Sequence, residues 1–443
     1  MNRSITREKE STPLPDRVCV LGGGISGLAA AYQLQKKCSV TLLEKESRVG
    51  GWIRSESKEG FFFESGPRSL RSVDSTETLQ LIEELGLKEQ LIEAPRQAFK
   101  RYLLHNKKLE QLPDSFLSLF SSPLTRPYLT SFAKEPLFGS RKEEDESVYE
   151  FFSRHFSQGV AEQLIDPLTK GIFAANAKEL SISSCFPKMK EIESVHRSLV
   201  LGALFGKKSK EKSALYTLKN GLEELPKALA RSLGDSIRLS TPVRRVECSE
   251  HGVQVTCDSG IETFDRVVST LPASALSSLL PDSSLKQLLK EIRSTSVAVV
   301  KVGYKKRVNR YEGFGYLAPS KEKSPLLGVV FDSSAFPFQN QNEVETRLSV
   351  MLEGEGKSVE EAKRLALEGL ASDLGILESP DFIEVFFAKE AIPKYAIGHP
   401  GLVQRIEASL KDFPRLSLLG TYLYGVSVNQ AIFHAMHLNP FQK

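Results

Sequence analysis

The chain has 443 residues, of which 40% are hydrophobic and 26% charged; this balance suits two or three folded domains and excludes wholesale disorder. Fifty-nine Lys and Arg against 55 Asp and Glu leave a net charge of +4, and no basic stripe interleaved with aromatics argues for nucleic acid. Cys19, Cys38, Cys185, Cys248 and Cys257 form no CxxC pair, so neither a disulfide framework nor a zinc knuckle is expected and a reducing compartment is the default.

Residues 1–16 lack an apolar stretch and are partly acidic, which reads as a short solvated tail, neither a secretory signal nor a good transit peptide. Residues 17–21 (RVCVL) read as a buried strand. Gly22-Gly23-Gly24-Ile25-Ser26-Gly27 follows, then a helical run over 28–34 and a second strand over 40–43 that ends at Glu44. Three of the glycines have a physical reason to stand where they do. Gly22 allows the tight turn, Gly24 a close approach to a pyrophosphate, and Gly27 the packing of helix on strand. The helix N-terminus offers amides to phosphate, and Glu44 can accept from ribose hydroxyls. The bland alternative is a glycine-rich turn with an acid that merely ends a strand; the order strand, turn, helix, strand, acid favours a dinucleotide.

Further along, a hairpin is expected over 101–104 and 108–112, with Arg101 on its first strand. Residues 112–138 cluster Leu and Phe among four prolines, with Lys134, Arg141 and Lys142 nearby; such a segment can lie in a membrane interface or simply cap a domain. No run of about 18 apolar residues is present to span a bilayer. Helices are expected between about 145 and 206, including one over 189–205, and an exposed loop at 207–213. A hairpin over 243–256 starts at Val243. Strands are expected at 297–303, 326–331, 347–352 and 383–387, a helix at 360–374, and a last strand at 416–419 before a glycine turn and a helix to about 436. Read from the residues alone, Arg101 is an ordinary hairpin arginine. Phe314, Leu317, Val330 and Met351 are then core, and Gly171 a helix-terminus glycine. No HExxH, nucleophile elbow or His/Asp cluster with metal spacing is found, so no metal is expected. His196 and His399 have no evident catalytic role, and Asp166 reads as a cap rather than a base.

Past Glu44 the chain runs Lys45-Glu46-Ser47-Arg48-Val49-Gly50-Gly51-Trp52, then Phe63-Glu64-Ser65-Gly66-Pro67-Arg68. These segments resemble the fingerprints of the amine-oxidase-like flavoproteins. The middle of the chain narrows the resemblance: Lys170-Gly171-Ile172-Phe173-Ala174, Ser184-Cys185-Phe186-Pro187, His196-Arg197-Ser198, Gly313-Phe314-Gly315-Tyr316-Leu317, Ile392-Pro393-Lys394-Tyr395 and Gly425-Val426-Ser427-Val428-Asn429. Together they are similar to the oxygen-dependent protoporphyrinogen oxidase family, closest to its mitochondrial type.

The resemblance implies an α/β FAD-binding Rossmann-type domain (about 14–92, 214–274 and 414–443), an α+β substrate domain (93–112 and 294–413) and a helical membrane-binding region (113–206), the amine-oxidase/GDI-like fold. It implies FAD held by Gly22, Gly23, Gly24, Ile25, Ser26, Gly27, Glu44, Lys45, Trp52, Gly66, Pro67, Arg68, Ser69, Val243, Val426, Ser427 and Val428. The covalent flavin of some relatives needs a C-terminal cysteine, and none follows Cys257, so the resemblance implies a noncovalent FAD. Arg101 is placed at a substrate propionate, with Gly171, Phe314, Leu317, Val330 and Met351 around the tetrapyrrole. The chemistry lies with the flavin, so no catalytic side chain is assigned. The implied reaction is the six-electron oxidation of protoporphyrinogen IX with O2 as acceptor, giving H2O2. The implied location is the surface of the bacterial cytoplasmic membrane or the mitochondrial inner membrane. Two rivals stay open, a coproporphyrinogen III oxidase and a non-catalytic GDI-like binding protein, and so does the choice between monomer and homodimer.

Overall fold

The computed structural model describes residues 16–114, 116–138, 141–206 and 214–441; the expected N-terminal tail, apart from Asp16, and the 207–213 loop lie outside them. Five strands form a parallel sheet in the order Ile237–Arg238, Ser39–Leu43, Arg17–Leu21, Arg266–Ser269, Leu416–Leu418. The central strand reads as an unbroken apolar run because both of its faces are buried. Val18 and Val20 point into a core with the helices Ile25–Leu34, Thr76–Glu84, Glu224–Leu233 and Val428–Met436. Cys19 and Leu21 point the other way, against the three-stranded antiparallel sheet formed by Val243–Ser249, Gly252–Cys257 and Gly260–Phe264 and against helices Ala273–Leu279, Ser284–Glu291 and His399–Ser409.

A second, seven-stranded sheet has the order Phe382–Pro393, Ser294–Tyr304, Thr346–Glu353, Gly328–Val330, Gly315–Leu317, Arg101–His105, Lys108–Gln111. Its pairs are antiparallel except where Gly315–Leu317 runs parallel to Arg101–His105. Alternation along the strands sends Ala298, Val300, Val302, Tyr316, Val329, Leu348, Val350 and Leu352 to one face. There they pack on Ala362, Ala366 and Leu370 of the helix Val359–Leu374. The opposite face is left for other uses.

The third region is helical. Val148, Phe151, Phe152, Phe173, Ile182, Leu199 and Tyr395 form its core. The single helix expected over 189–205 is instead two, Pro187–His196 and Leu199–Phe205. Arg197 adopts a left-handed conformation (φ 57°) that ends the first helix. Ser198 then caps the second, its Oγ accepting from the Leu201 amide at 3.0 Å, the ordinary way to satisfy an orphan donor.

Candidate cofactor and substrate site

The glycine turn joins the central strand to the helix Ile25–Leu34. Gly22 has φ +102°, which favours glycine. A Cβ on Gly27 would lie 1.9 Å from the Gly22 carbonyl oxygen, so only glycine lets the helix seat on the turn. Above Gly24 there is open space within 4 Å. The helix has no side-chain cap and no acid in its first turn, so its leading amides are left to an anion. Glu44 stands beside them: Oε2 accepts from the Gly23 amide at 2.6 Å and Oε1 from the Glu46 amide at 2.8 Å. A carboxylate holds about four lone-pair positions, so acceptor capacity remains for a ribose. This arrangement fits the pyrophosphate and ribose of a dinucleotide.

The other expected cofactor residues lie on several separate elements. Gly50 donates its amide to the Gly23 carbonyl at 2.8 Å, and Lys45 is exposed beside Glu46 at 3.6 Å. Gly66 presses on the Trp52 backbone, where a Cβ would meet the carbonyl oxygen at 1.9 Å. Pro67 and Ser69 are half-buried. The Thr241 amide donates to the Glu44 carbonyl at 2.8 Å, bringing Val243 close by. Ser427 caps the helix Val428–Met436, Val426 packs on the helical region's core and Val428 on the core under the glycine turn. Arg68 is spent mostly within the protein. It is 6% exposed, and its Nη1 donates to Asp332 Oδ1 at 2.7 Å, with Ser349 donating to the other Asp332 oxygen. Its Nη2 is buried without a partner among the described residues.

Register settles where the expected substrate residues go. Arg101 pairs with Gly315, Gly315 with Val330, Val330 with Ser349, and Ser349 with Lys301. Two residues along, Leu103 pairs with Leu317, Leu317 with Gly328, Gly328 with Met351, Met351 with Val299, and Val299 with Phe386. Residues in register share a face, so Arg101, Leu317, Val330 and Met351 lie together on the side away from Val359–Leu374. Gly171, on Asp166–Phe173, touches that face: a Cβ there would meet Leu317 Cδ2 at 2.6 Å. Trp52 meets Phe386 edge-on at 6.2 Å between ring centroids, which brings the loop that follows Glu44 to the far end of the same face. Phe314 sits just outside the strand that was expected to carry it, one residue before Gly315–Leu317. Its ring lies 5.7 Å from the Arg101 guanidinium carbon. Burial, and then the charge of Arg71, push the proton affinity of Arg101 down.

Several polar residues escaped the sequence reading. Lys301 is 1% exposed and pairs with Glu56 Oε2 at 2.5 Å and Glu384 Oε2 at 3.3 Å. Burial would raise the Glu56 carboxyl, but Lys301 prevails and brings it to about 2. Glu64 is pushed up to about 7 by burial, although it accepts from the Leu222 amide and Ser55 Oγ, both at 2.8 Å. In the helical region both ring nitrogens of His155 face carboxylates, Glu135 at 2.7 Å and Glu193 at 3.2 Å. A lone charged residue in a strand or helix reads as solvated, so nothing local marked these pairings. Asp166 accepts from the Ser320 amide at 2.9 Å and hydroxyl at 2.7 Å, which ties its helix to a distant turn; it does not cap its own helix. His399 stacks on Tyr395 at 4.5 Å, and Nε2 is buried without a partner among the described residues.

Comparison with known proteins agrees with this architecture. The family model described as flavin containing amine oxidoreductase matches residues 25–437, and the chain belongs to that family. Protoporphyrinogen oxidase from Homo sapiens is 36% identical, the alignment covering 94% of this chain and 96% of the relative. Coproporphyrinogen III oxidase from Bacillus subtilis is 27% identical over 94% of this chain and 95% of its own length. A crystal structure from an Exiguobacterium species, provisionally described as a protoporphyrinogen oxidase, superposes with a TM-score of 0.83 at 25% identity, covering 95% of this chain and 97% of that one. The fold is that of the amine oxidases, the cofactor is FAD, and the protein is an oxidoreductase.

Proposed function

We infer that this chain oxidises protoporphyrinogen IX to protoporphyrin IX. The observation that carries the reading is the strand face bearing Arg101, Leu317, Val330 and Met351, with Trp52 of the cofactor loop at its far end. It offers a cation at one edge and an apolar surface across the middle, which suits a flat macrocycle with few carboxylates. When bound, FAD supplies the electron acceptor for three two-electron oxidations and hands the electrons to O2, giving H2O2.

The protein's own work is binding and placement. The 22–27 turn and Glu44 would hold the pyrophosphate and ribose. Lys45, Trp52, Gly66, Pro67, Arg68, Ser69, Val243 and 426–428 would line the rest of the cofactor. Arg101 would hold a propionate, for which a planar guanidinium is well suited. Leu317, Val330, Met351, Phe314 and Gly171 would keep water off the ring edge while the macrocycle loses hydrogen. Aromatisation drives that loss, so no strong protein base is called for. We divide the chain accordingly into a cofactor domain (14–92, 214–274, 414–443), a substrate domain (93–112, 294–413) and the helical region 113–206.

The helical region is the proposed membrane contact. Leu137 (79% exposed), Phe138 (74%) and Phe205 (76%) are large apolar side chains in water, joined by Val195 and Leu204. Patches of this kind mark interaction surfaces. No helix among the described residues is long and apolar enough to cross a membrane, so the attachment would be monotopic. The membrane would be the cytoplasmic one in a bacterium and the mitochondrial inner one in a eukaryote.

The test is an aerobic assay of purified protein with both porphyrinogens, following porphyrin fluorescence and H2O2. Three H2O2 per protoporphyrin, with a higher kcat/KM than for coproporphyrinogen III, is the expected result. A preference for coproporphyrinogen III would transfer the chain to the rival activity. A colourless product that turns over neither would favour a non-catalytic binding protein.

A further inference from the structure

Two arginines stand at one edge of the proposed slot with, among the described residues, no acid to answer them. Arg101 is half-buried, and its guanidinium lies 5.7 Å from the Phe314 ring centroid. Arg71 ends the short strand Leu70–Arg71 and pairs in register with Leu215. Leu215 belongs to the buried cluster of Ala94, Ala98, Ala335 and Phe336 against which Phe314 packs. The two cations therefore rim the same apolar cluster. Arg71 is exposed, but its backbone is anchored: the Asn429 side-chain amide donates to its carbonyl at 2.9 Å and to that of Val73 at 3.3 Å. Asn429 lies on the helix that follows the proposed cofactor residues 426–428. Among the described residues neither guanidinium has a carboxylate within ion-pair distance, whereas Lys301 and Arg347, on the same sheet face, are already paired with Glu56 and Glu384 and with Glu345. The closeness of the two is felt electrostatically, since the charge of Arg71 makes Arg101 harder to keep protonated. Like charges without a counterion repel, and a ligand that brings two carboxylates relieves both.

We propose that Arg71 and Arg101 together form a two-carboxylate site, each guanidinium taking one of the two propionates that protoporphyrinogen IX carries on neighbouring rings, and that this pair selects a dicarboxylate macrocycle over a tetracarboxylate one. The inference rests on the porphyrinogen reading above. Its selectivity follows from desolvation. A macrocycle with two further propionates must lay them along Leu317, Val330 and Met351, away from both guanidiniums, and burying unpaired carboxylates is unfavourable.

The experiment uses the FAD-loaded full chain, Arg71→Ala and Arg71→Lys. Turnover is measured with protoporphyrinogen IX, its dimethyl ester and coproporphyrinogen III, and binding of the products protoporphyrin IX and its dimethyl ester is measured by fluorescence. Arg71→Ala should raise KM for the diacid roughly tenfold, with kcat and FAD content much less affected. The preference over coproporphyrinogen III should narrow, and product binding should lose its selectivity for diacid over diester. Arg71→Lys should recover part of the loss. Equal losses with diacid and diester would mean that Arg71 only braces the fold, and no loss with either would mean that it does not touch the substrate; both overturn the proposal. If the wild-type chain turns over no porphyrinogen yet binds diacid over diester through Arg71, the two-carboxylate site stands and the catalytic reading falls.

Discussion

In the helical region, Glu135, Glu146 and Glu193 lie among His155, Arg154 and Lys190, with a carboxylate oxygen against each of these three side chains: Arg154 holds Glu146 and Glu193, both at 2.6 Å, and Lys190 holds Glu193 at 2.7 Å. Arg101, on the seven-stranded sheet, and Arg71, on the short strand Leu70–Arg71, have no such partner among the described residues. The first group is closed. Burial would raise the Glu135 carboxyl, but Ser198, the Leu199 amide and His155 outweigh it and hold it below its ordinary value. Glu135 also ties the helix Leu129–Phe138 to the start of Leu199–Phe205, accepting from the Leu199 amide at 2.8 Å and the Val200 amide at 3.2 Å. The second group is open, and its charge is available to something that arrives. Closed charges hold a structure together; open, half-buried ones mark where a ligand is met.

Breaking each kind should therefore have opposite consequences. The largest effect is expected from Glu135→Ala, which strands buried His155 and the amides of the next helix. It should cost about 4 kcal/mol of stability by denaturant unfolding, and a loss under about 1 kcal/mol would show that the cluster is not closed. Glu64 comes next. Its carboxyl titrates near 7 instead of the ordinary 4.5, so between those values the native chain binds more protons than the unfolded one. Stability then falls as pH rises through that window, by about 3 kcal/mol in all, and stays lower above it. Glu64→Gln should flatten this slope and make the protein more stable than wild type at pH 8, while a parallel slope would locate the titration elsewhere. Arg101→Ala should lower kcat/KM for protoporphyrinogen by about 2 kcal/mol, roughly 30-fold. FAD content should stay intact, and stability should be unchanged or slightly raised because a like-charge contact is removed. Smallest in stability, within about 0.5 kcal/mol, is a Leu137→Ser, Phe138→Ser pair. These side chains are 79% and 74% exposed, and their loss should show instead as weaker flotation with anionic liposomes.

How much of this was legible depended on distance along the chain. The glycine turn is local, and the strand Arg17–Leu21, the helix from Ile25 and Glu44 all fall where the residues place them. The strand face is not local. Arg101, Leu317, Val330 and Met351 come from four separate strands, and each alone reads as surface or core; only register unites them. The break at Arg197-Ser198 did leave a signal, a serine before an apolar run, outweighed by the apolar content on both sides. The Glu135–His155–Glu193 cluster left none, because three helices supply one member each.

In the proposed reading the apolar strand face holds a porphyrinogen against the bound flavin. Anaerobic mixing of the FAD-loaded protein with protoporphyrinogen IX, followed at the visible flavin band, tests it most directly. Rapid bleaching is expected, saturating with substrate and shifted to higher concentration in Arg101→Ala. A flavin that stays oxidised at every concentration would contradict it.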